Sequence, residues 1–329
     1  MKYRTLGKTG FKVSEISLGT WQVGGKWGSP FSFDTAQNIL NKAVDHGINF
    51  IDTADVYGEN LGESEKAVGK FIRSQSEQIY VATKCGRRLN PHNNETYTPK
   101  ALRGFVEESL TNMGLETIDL IQLHCPPTEV YYRPEIFGEF DKLIAEGKIQ
   151  KLGVSVEKVE EGLKAIEYEN VSTVQIIFNM FRQRPAELFF EQAKKRNIGV
   201  IVRVPLASGL LTGKFSRQTI FDKDDHRNFN RDGAAFDKGE TFSGVDYETG
   251  LSVAEKLKTQ FSNHSLALMA LKWILMFDAV SCVIPGASKV EQVLSNVKAS
   301  DLPDLTDQEM KFVKNLYDSE IKTAVHPLW

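Results

Sequence analysis

The sequence predicts an α/β fold, a closed (β/α)8 barrel with an N-terminal β-hairpin and a long loop after the seventh strand, and three observations predict it. Apolar runs of strand length alternate with helical patterns along almost the whole chain. No G-x-G-x-x-G occurs anywhere, which weighs against an open dinucleotide-binding sheet. A polar or glycine-bearing group follows each strand end, as on the active face of a parallel barrel. Such barrels run well past ~200 residues as one folded body, so residues 1–329 are expected to form one domain.

The opening segment YRTLGKTGFKVS reads as a hairpin, with Gly7 and Gly10 bracketing its turn. Strands are expected at SEISLGT, NFIDTA, IYVATK, DLIQLH, KLGVS, VQIIFN, GVIVRVP and VSCVIPG. Between the first two, Ala36, Ile39, Leu40, Ala43 and Val44 put one apolar face of a helix against the sheet, and Gly47 stops it. Between the third and fourth, Thr98 caps a helix with Pro99 at its first position; Leu102, Phe105, Val106, Leu110 and Met113 line its face, and Gly114 ends it. The helix from Pro134 repeats the design with Ile136, Phe137, Phe140, Leu143 and Ile144, ending at Gly147. From Leu206 to about Tyr247, roughly forty residues rich in Gly, Asp, Arg and Asn separate the seventh strand from the next helix; loops that long are usually functional, and this one reads as a lid.

Bulk properties exclude several partners. Lys and Arg total 40 against 43 for Asp and Glu, a formal charge of -3, so no broad positive field attracts nucleic acid or anionic lipid. The longest apolar stretch, SLALMALKWILMF, is shorter than the ~18 residues of a membrane span and carries Lys272, so it reads as a buried helix. The N-terminus lacks a secretory pattern, and Cys85, Cys125 and Cys282 make no disulfide framework, so a cytoplasmic location is expected. His46, His92, His226, His264 and His326 show no zinc-ligand spacing, which leaves no expected metal and argues against a metal-dependent hydrolase.

Chemistry concentrates where three successive strands run out into loops, at Asp52, Tyr57, Lys84 and His124. Singly, each is an ordinary structural residue. Together they form a proton-transfer device in which Tyr57 is the acid, Lys84 a fixed cation beside it, Asp52 the partner of Lys84, and His124 a hydrogen-bond donor to the reacting oxygen. A free phenol has a pKa of roughly 10 and exchanges protons reluctantly at neutral pH. A unit charge ~4 Å away, at an effective dielectric of ~20, is worth about 4 kcal/mol before desolvation, enough to lower that value by up to ~3. These roles describe a carbonyl being reduced or an alcohol oxidised. Side chains supply no hydride, so a nicotinamide cofactor is required. Its anionic end suits CVIPGASKVEQVLSN, where the last strand turns at Pro285 and Gly286 into a helix beginning with Ser288 and Lys289. On that helix Gln292 and Asn296 share a face and offer amides to an adenine edge; a plain capped, solvated helix is the alternative.

At these residues the chain resembles the aldo-keto reductase family, from LGTW through IDTADVYG, VATK and LIQLH to SKVEQVLSN, nearly its whole length. The resemblance implies a TIM barrel that transfers hydride from NADPH to an aldehyde or ketone, with Asp52, Tyr57, Lys84 and His124 as the catalytic tetrad. It implies that Gly19, Thr20 and Trp21 lie beside the nicotinamide and that Ser155 and Gln175 hold its carboxamide. Residues of the PLASGLLTGK loop, Pro205, Leu206, Gly209 and Lys214 among them, then fold over the diphosphate. Gly286, Ser288, Lys289, Gln292 and Asn296 fall at the adenosine phosphate and base, and Trp21, Trp27, Tyr57, His124 and Cys125 at the substrate. Four positions depart from the family pattern. Val156 replaces an Asn contact to the carboxamide, and Arg203 stands where an aromatic ring commonly stacks on the nicotinamide. Gln292 replaces an arginine for the 2'-phosphate, leaving Lys289 as the cation there, with NADPH still preferred to NADH. Cys125 replaces a bulky aromatic and is either a small wall residue or the mark of a roomier or oxidant-sensitive pocket. Trp329 either roofs that pocket or anchors the tail, and Arg227 either clamps the cofactor or belongs to a solvated acidic cluster with Asp222, Asp224 and Asp225. Some relatives act mainly as NADPH-binding, redox-sensing regulatory subunits of a membrane channel, the alternative function.

Overall fold

The hairpin comes first in the computed structural model, which describes residues 1–25 and 30–329, so the expectation for Trp27 lies outside the described residues. Strands β1 (Tyr3–Thr5) and β2 (Lys12–Ser14) pair antiparallel. Eight parallel strands follow: β3 (Leu18–Gly19), β4 (Phe50–Asp52), β5 (Tyr80–Cys85), β6 (Ile118–His124), β7 (Ile149–Ser155), β8 (Val171–Ile177), β9 (Gly199–Arg203) and β10 (Val280–Val283), each bonded to the next. The residues flanking β3 close the ring onto β10. Val283 N donates to Glu15 O at 2.9 Å, Ser17 N to Val283 O at 2.9 Å, and Gly19 N to Pro285 O at 3.2 Å. Glycine is required at that seam, because a Cβ on residue 19 would lie 2.8 Å from the Ile284 carbonyl oxygen.

The two-residue period of the strands divides the core. One set of strand residues packs outward against the helices, for example Ile51, Val81, Ile121 and Val154. The other set points into the barrel, where Phe50, Ala82, Leu120, Ile201 and Cys282 form a bottom layer. The hairpin plugs this end with Leu6, Phe11 and Val13, and Phe11 stacks on Tyr80 at 4.4 Å between ring centroids. Each such aromatic contributes roughly 1.5–3 kcal/mol by leaving water. One end of the barrel is therefore sealed by hydrocarbon, which leaves the strands' C-terminal ends for polar work.

Helices α1 (Phe33–Asp45), α2 (Glu63–Arg73), α3 (Pro99–Met113) and α4 (Pro134–Ala145) follow β3 to β6, and their signals act as expected. Thr98 Oγ1 accepts from Ala101 N at 3.2 Å, and Gly114 closes α3 at φ 63°. Helices α5 (Val159–Ala165) and α6 (Phe189–Lys195) follow β7 and β8. After β9 come α7 (His226–Phe229), α8 (Tyr247–Gln260) and α9 (Leu266–Leu275), the buried apolar helix, whose Lys272 is satisfied by Asp304 at 2.7 Å. Helix α10 (Val290–Val297) follows β10, and α11 (Asp307–Glu320) and α12 (Lys322–Val325) finish the chain. Among the described residues no helix is long and apolar enough to cross a membrane.

The long connection after β9 is built rather than loose. Short helical turns succeed one another, and Arg231 lies over the rings of Phe221, Phe242 and Tyr247 at 4.7 to 5.7 Å. Asn230 Oδ1 accepts from Ala235 N and Phe236 N, while Asn179 at the end of β8 donates to Ser243 Oγ at 2.7 Å. Trp329 belongs to this assembly, not to a roof over a pocket. Its indole lies 4.5 Å from the Arg182 guanidinium and donates to Asp237 at 3.1 Å, and Gly239 and Gly244 leave room for the ring.

Candidate active site

Strand register assembles the site. Inward residues at the ends of the strands pair as Gly19 with Asp52, Lys84 with Gln122, His124 with Ser155, and Ser155 with Gln175, so one interior layer carries Asp52, Lys84, Gln122 and Gln175 above the apolar plug. Lys84 and Asp52 are 1 % and 2 % exposed and form a direct ion pair. The ammonium also donates to Thr53 O at 2.9 Å and to the Tyr57 hydroxyl at 3.3 Å. The second oxygen of Asp52 accepts from Gln122 Nε2 at 2.9 Å and Gln175 Nε2 at 2.8 Å. Every polar group of this buried pair is therefore matched, the condition under which an interior charge is tolerated.

Tyr57 sits in a short loop held on three sides. Its amide donates to Ala54 O at 3.2 Å, its carbonyl accepts from Ser64 N at 3.1 Å, and Arg88 clamps neighbouring Asp55 at 2.8 Å while also gripping Glu108. Trp21 stacks 6.4 Å from the phenol ring, and His124 meets it edge-on at 6.1 Å. Burial is the larger influence on Tyr57 and raises its pKa; Lys84 pulls it down but does not win. The net direction is opposite to the expected lowering, because enclosing the hydroxyl penalises a phenolate more than one already shared ammonium favours it. For Lys84, burial opposes the charge, but Asp52 and Tyr57 outweigh it and raise its pKa. His124 is held well below its usual value by burial and then by Lys84, Arg87 and Arg203, so the imidazole is neutral. Its Nδ1 has no hydrogen-bond partner among the described residues.

A cleft of about 540 Å³ runs from this layer across the barrel mouth. Gly19, Thr20, Trp21, Asp52, Tyr57, His124, Ser155, Gln175 and Arg203 line it. Pro205, Leu206, Gly209, Lys214, Gly286 and Gln292 line it as well, and buried Lys84 lies behind this wall. Both amide hydrogens of Gln175 are spent on Asp52 and Gln122, so its carbonyl oxygen is what it offers a ligand. Arg203 donates to Val156 O at 3.1 Å and pairs with Glu240 of the long loop at 3.3 Å. Arg227 lines the cleft but grips Asp225, a cap of α7, in bidentate fashion.

Ser288, Lys289 and Asn296 do not line the cleft. Gln292 Oε1 accepts from Ser288 N at 2.7 Å and Lys289 N at 3.2 Å, so the start of α10 is capped by its own side chain, and Asn296 is buried. Cys125 faces a second cavity beside the cleft, with its thiol pushed up to about 12 by burial. Sequence reasoning missed Arg87, Gln122, Glu240, His226 and Phe236. Arg87 follows Lys84 by three residues and repeats the strand-end pattern, and Gln122 shares the inward parity of His124, so both were detectable. The other three reach the cleft only through the fold of the long loop; His226, for instance, packs on Trp21 at 5.1 Å.

Comparison with known proteins gives this closed barrel, with its Asp, Tyr, Lys and His cluster at the mouth, both a class, the carbonyl-reducing oxidoreductases, and a family. The model of the Aldo/keto reductase family matches residues 15–318, and the chain belongs to that family. It is 30% identical over 334 residues to the aldo-keto reductase YhdN of Bacillus subtilis, covering 99% of this chain and 97% of that one. Among solved structures it is similar to the glycerol dehydrogenase of Gluconobacter oxydans, with TM-score 0.80, 30% identity, and 100% and 98% of the two chains covered. An aldo-keto reductase of Bacillus halodurans in its holo form gives TM-score 0.77 at 28% identity, with 96% of each chain covered.

Proposed function

We propose that residues 1–329 act as one barrel unit, an NADP(H)-dependent reductase that converts an aldehyde or ketone into the alcohol, with Tyr57 as proton donor. The observation that carries this reading is the 3.3 Å contact between the Tyr57 hydroxyl and Lys84, at the floor of the cleft and beside a neutral His124.

The cleft fits a nicotinamide nucleotide. A Cβ on Gly286 would meet nothing nearer than 3.9 Å, Gln175 and Ser155 present polar groups to the cleft beside the tetrad, and Lys214 brings positive charge to its wall. Bound there, the reduced cofactor supplies the hydride. Neutral His124 orients the carbonyl oxygen, and Tyr57, kept protonated by its surroundings, hands that oxygen a proton. Lys84 steadies the charge left on the phenol oxygen, and Asp52 with Gln122 and Gln175 keeps Lys84 in place. Lys214 in the cleft wall supports NADPH over NADH. Three buried free cysteines and the absence of any strong positive field support a cytoplasmic enzyme acting on a small molecule, not on nucleic acid.

The test is oxidation of NADPH and of NADH, followed at the nicotinamide absorbance band against small aldehydes and ketones. Turnover with NADPH is expected. Tight cofactor binding with negligible turnover across the panel would replace this reading with the redox-sensing regulatory one.

A further inference from the structure

Beside the cleft lies a second cavity of about 410 Å³, and the two share Arg87 and Phe236 in their walls. Arg87 Nη1 stands 3.3 Å from Glu157 Oε1 at this junction, and the two side chains are 21 % and 23 % exposed. The second cavity rests on the loops after β6 and β7 and is covered by Ala235 to Asp237 of the long loop. Small Cys125 forms part of its floor, at the position where the sequence suggested extra room. Its lining mixes donors and acceptors: Arg87, Lys158 and His92 together with Glu157, Glu161, Asp237 and Thr128.

We propose that this cavity is a substrate subsite and that the natural carbonyl substrate carries a chain of hydroxyl groups reaching past Arg87 and Glu157 into it. The inference rests on the carbonyl-reductase reading. A hydroxyl both donates and accepts, so a run of them satisfies a wall of interleaved guanidinium and carboxylate groups. A carboxylate or phosphate arm would meet Glu157 and Asp237 along with Arg87 and Lys158, and an ammonium arm the reverse, so a charge of either sign gains one contact and loses to another. An apolar arm would strip water from the charged wall and return nothing.

The test compares kcat/KM for D-xylose with that for butanal in the wild type, in Glu157→Leu, which removes an acceptor at the junction, and in Ala235→Trp, which fills the cavity from an exposed position of the long loop. The small open-chain fraction of the sugar cancels when variants are compared. The xylose-to-butanal ratio is expected to fall at least about tenfold in both variants, the scale of one lost hydrogen bond to a charged group. A ratio unmoved in either variant, or a wild type that reduces butanal but not xylose, overturns the subsite alone. In Glu157→Leu, an equal fall for succinic semialdehyde overturns the assignment to hydroxyls. A wild type that turns over no carbonyl compound removes the reductase reading and the subsite together.

Discussion

Lys84 Nζ stands 3.3 Å from the Tyr57 hydroxyl and donates on its other side to Asp52. The ammonium is shared between a carboxylate that holds it and a phenol that it touches. Its field lowers the pKa of Tyr57 by less than burial raises it, so the phenol stays protonated at neutral pH, the form from which carbonyl reduction starts. That direction suits reduction of a carbonyl.

Tyr57→Phe is expected to lower kcat by ~10²- to 10⁴-fold, the usual worth of a positioned general acid, while cofactor affinity stays close to wild type. Single-turnover absorbance and fluorescence titration with NADPH measure the two. A variant that keeps kcat within tenfold would remove Tyr57 from the proton transfer.

Lys84→Met is expected to cost turnover more than cofactor affinity; equal losses with the fold intact would make Lys84 a binding residue only. Because Asp52 would then be buried without its cation, the variant should also lose ~3–5 kcal/mol of stability. Adding Asp52→Asn to it is expected to restore much of the lost Tm, and denaturation curves of the single and double variants check this.

The pH profile follows from two directions. His124 is neutral above a pKa well below 6.5, and Tyr57 is protonated below a pKa raised above 10.0, so kcat/KM for butanal should be flat from about pH 6.5 to 10. Glu157 is raised to about 7 by burial and then by Asp237 and Glu240. It becomes a full acceptor only above that value, so kcat/KM for xylose should rise through pH 7. An inflection near 6.5 with butanal would place a titrating imidazole in the reaction and contradict the site's electrostatics.

Arg203 lines the cleft close enough to Tyr57 and His124 for its guanidinium to act on both. Positive charge there disfavours an oxidised, cationic nicotinamide, so Arg203→Trp should shift the ratio of dissociation constants for NADPH and NADP+ toward NADP+ by about tenfold, the effect of roughly 1.4 kcal/mol. An unchanged ratio in calorimetric titrations dismisses the charge effect.

Trp329→Ala removes the indole from Arg182 and from Asp237. The long loop loses a tie far from the tetrad, so NADPH dissociation should quicken several-fold with a smaller change in Tm. Stopped-flow release that matches wild type would show that Trp329 only packs.

What the sequence determined by itself is local. The strand and helix alternation, the caps at Thr98 and Gly114, the hairpin glycines and the placement of Asp52, Lys84 and His124 at strand ends follow from periodicity and backbone preference, which need only near neighbours. Tertiary structure decided the rest. Burial reversed the expected shift of Tyr57, because desolvation depends on everything packed around the hydroxyl and not on its nearest cation. Gln292 capped its own helix, and Gln175 turned its amide hydrogens to Asp52 and Gln122, choices set by which partner lies within about 3 Å after folding. Trp329, Glu240 and His226 reached their places only when a loop of irregular backbone closed over the barrel, and no periodic pattern encodes where such a loop lands.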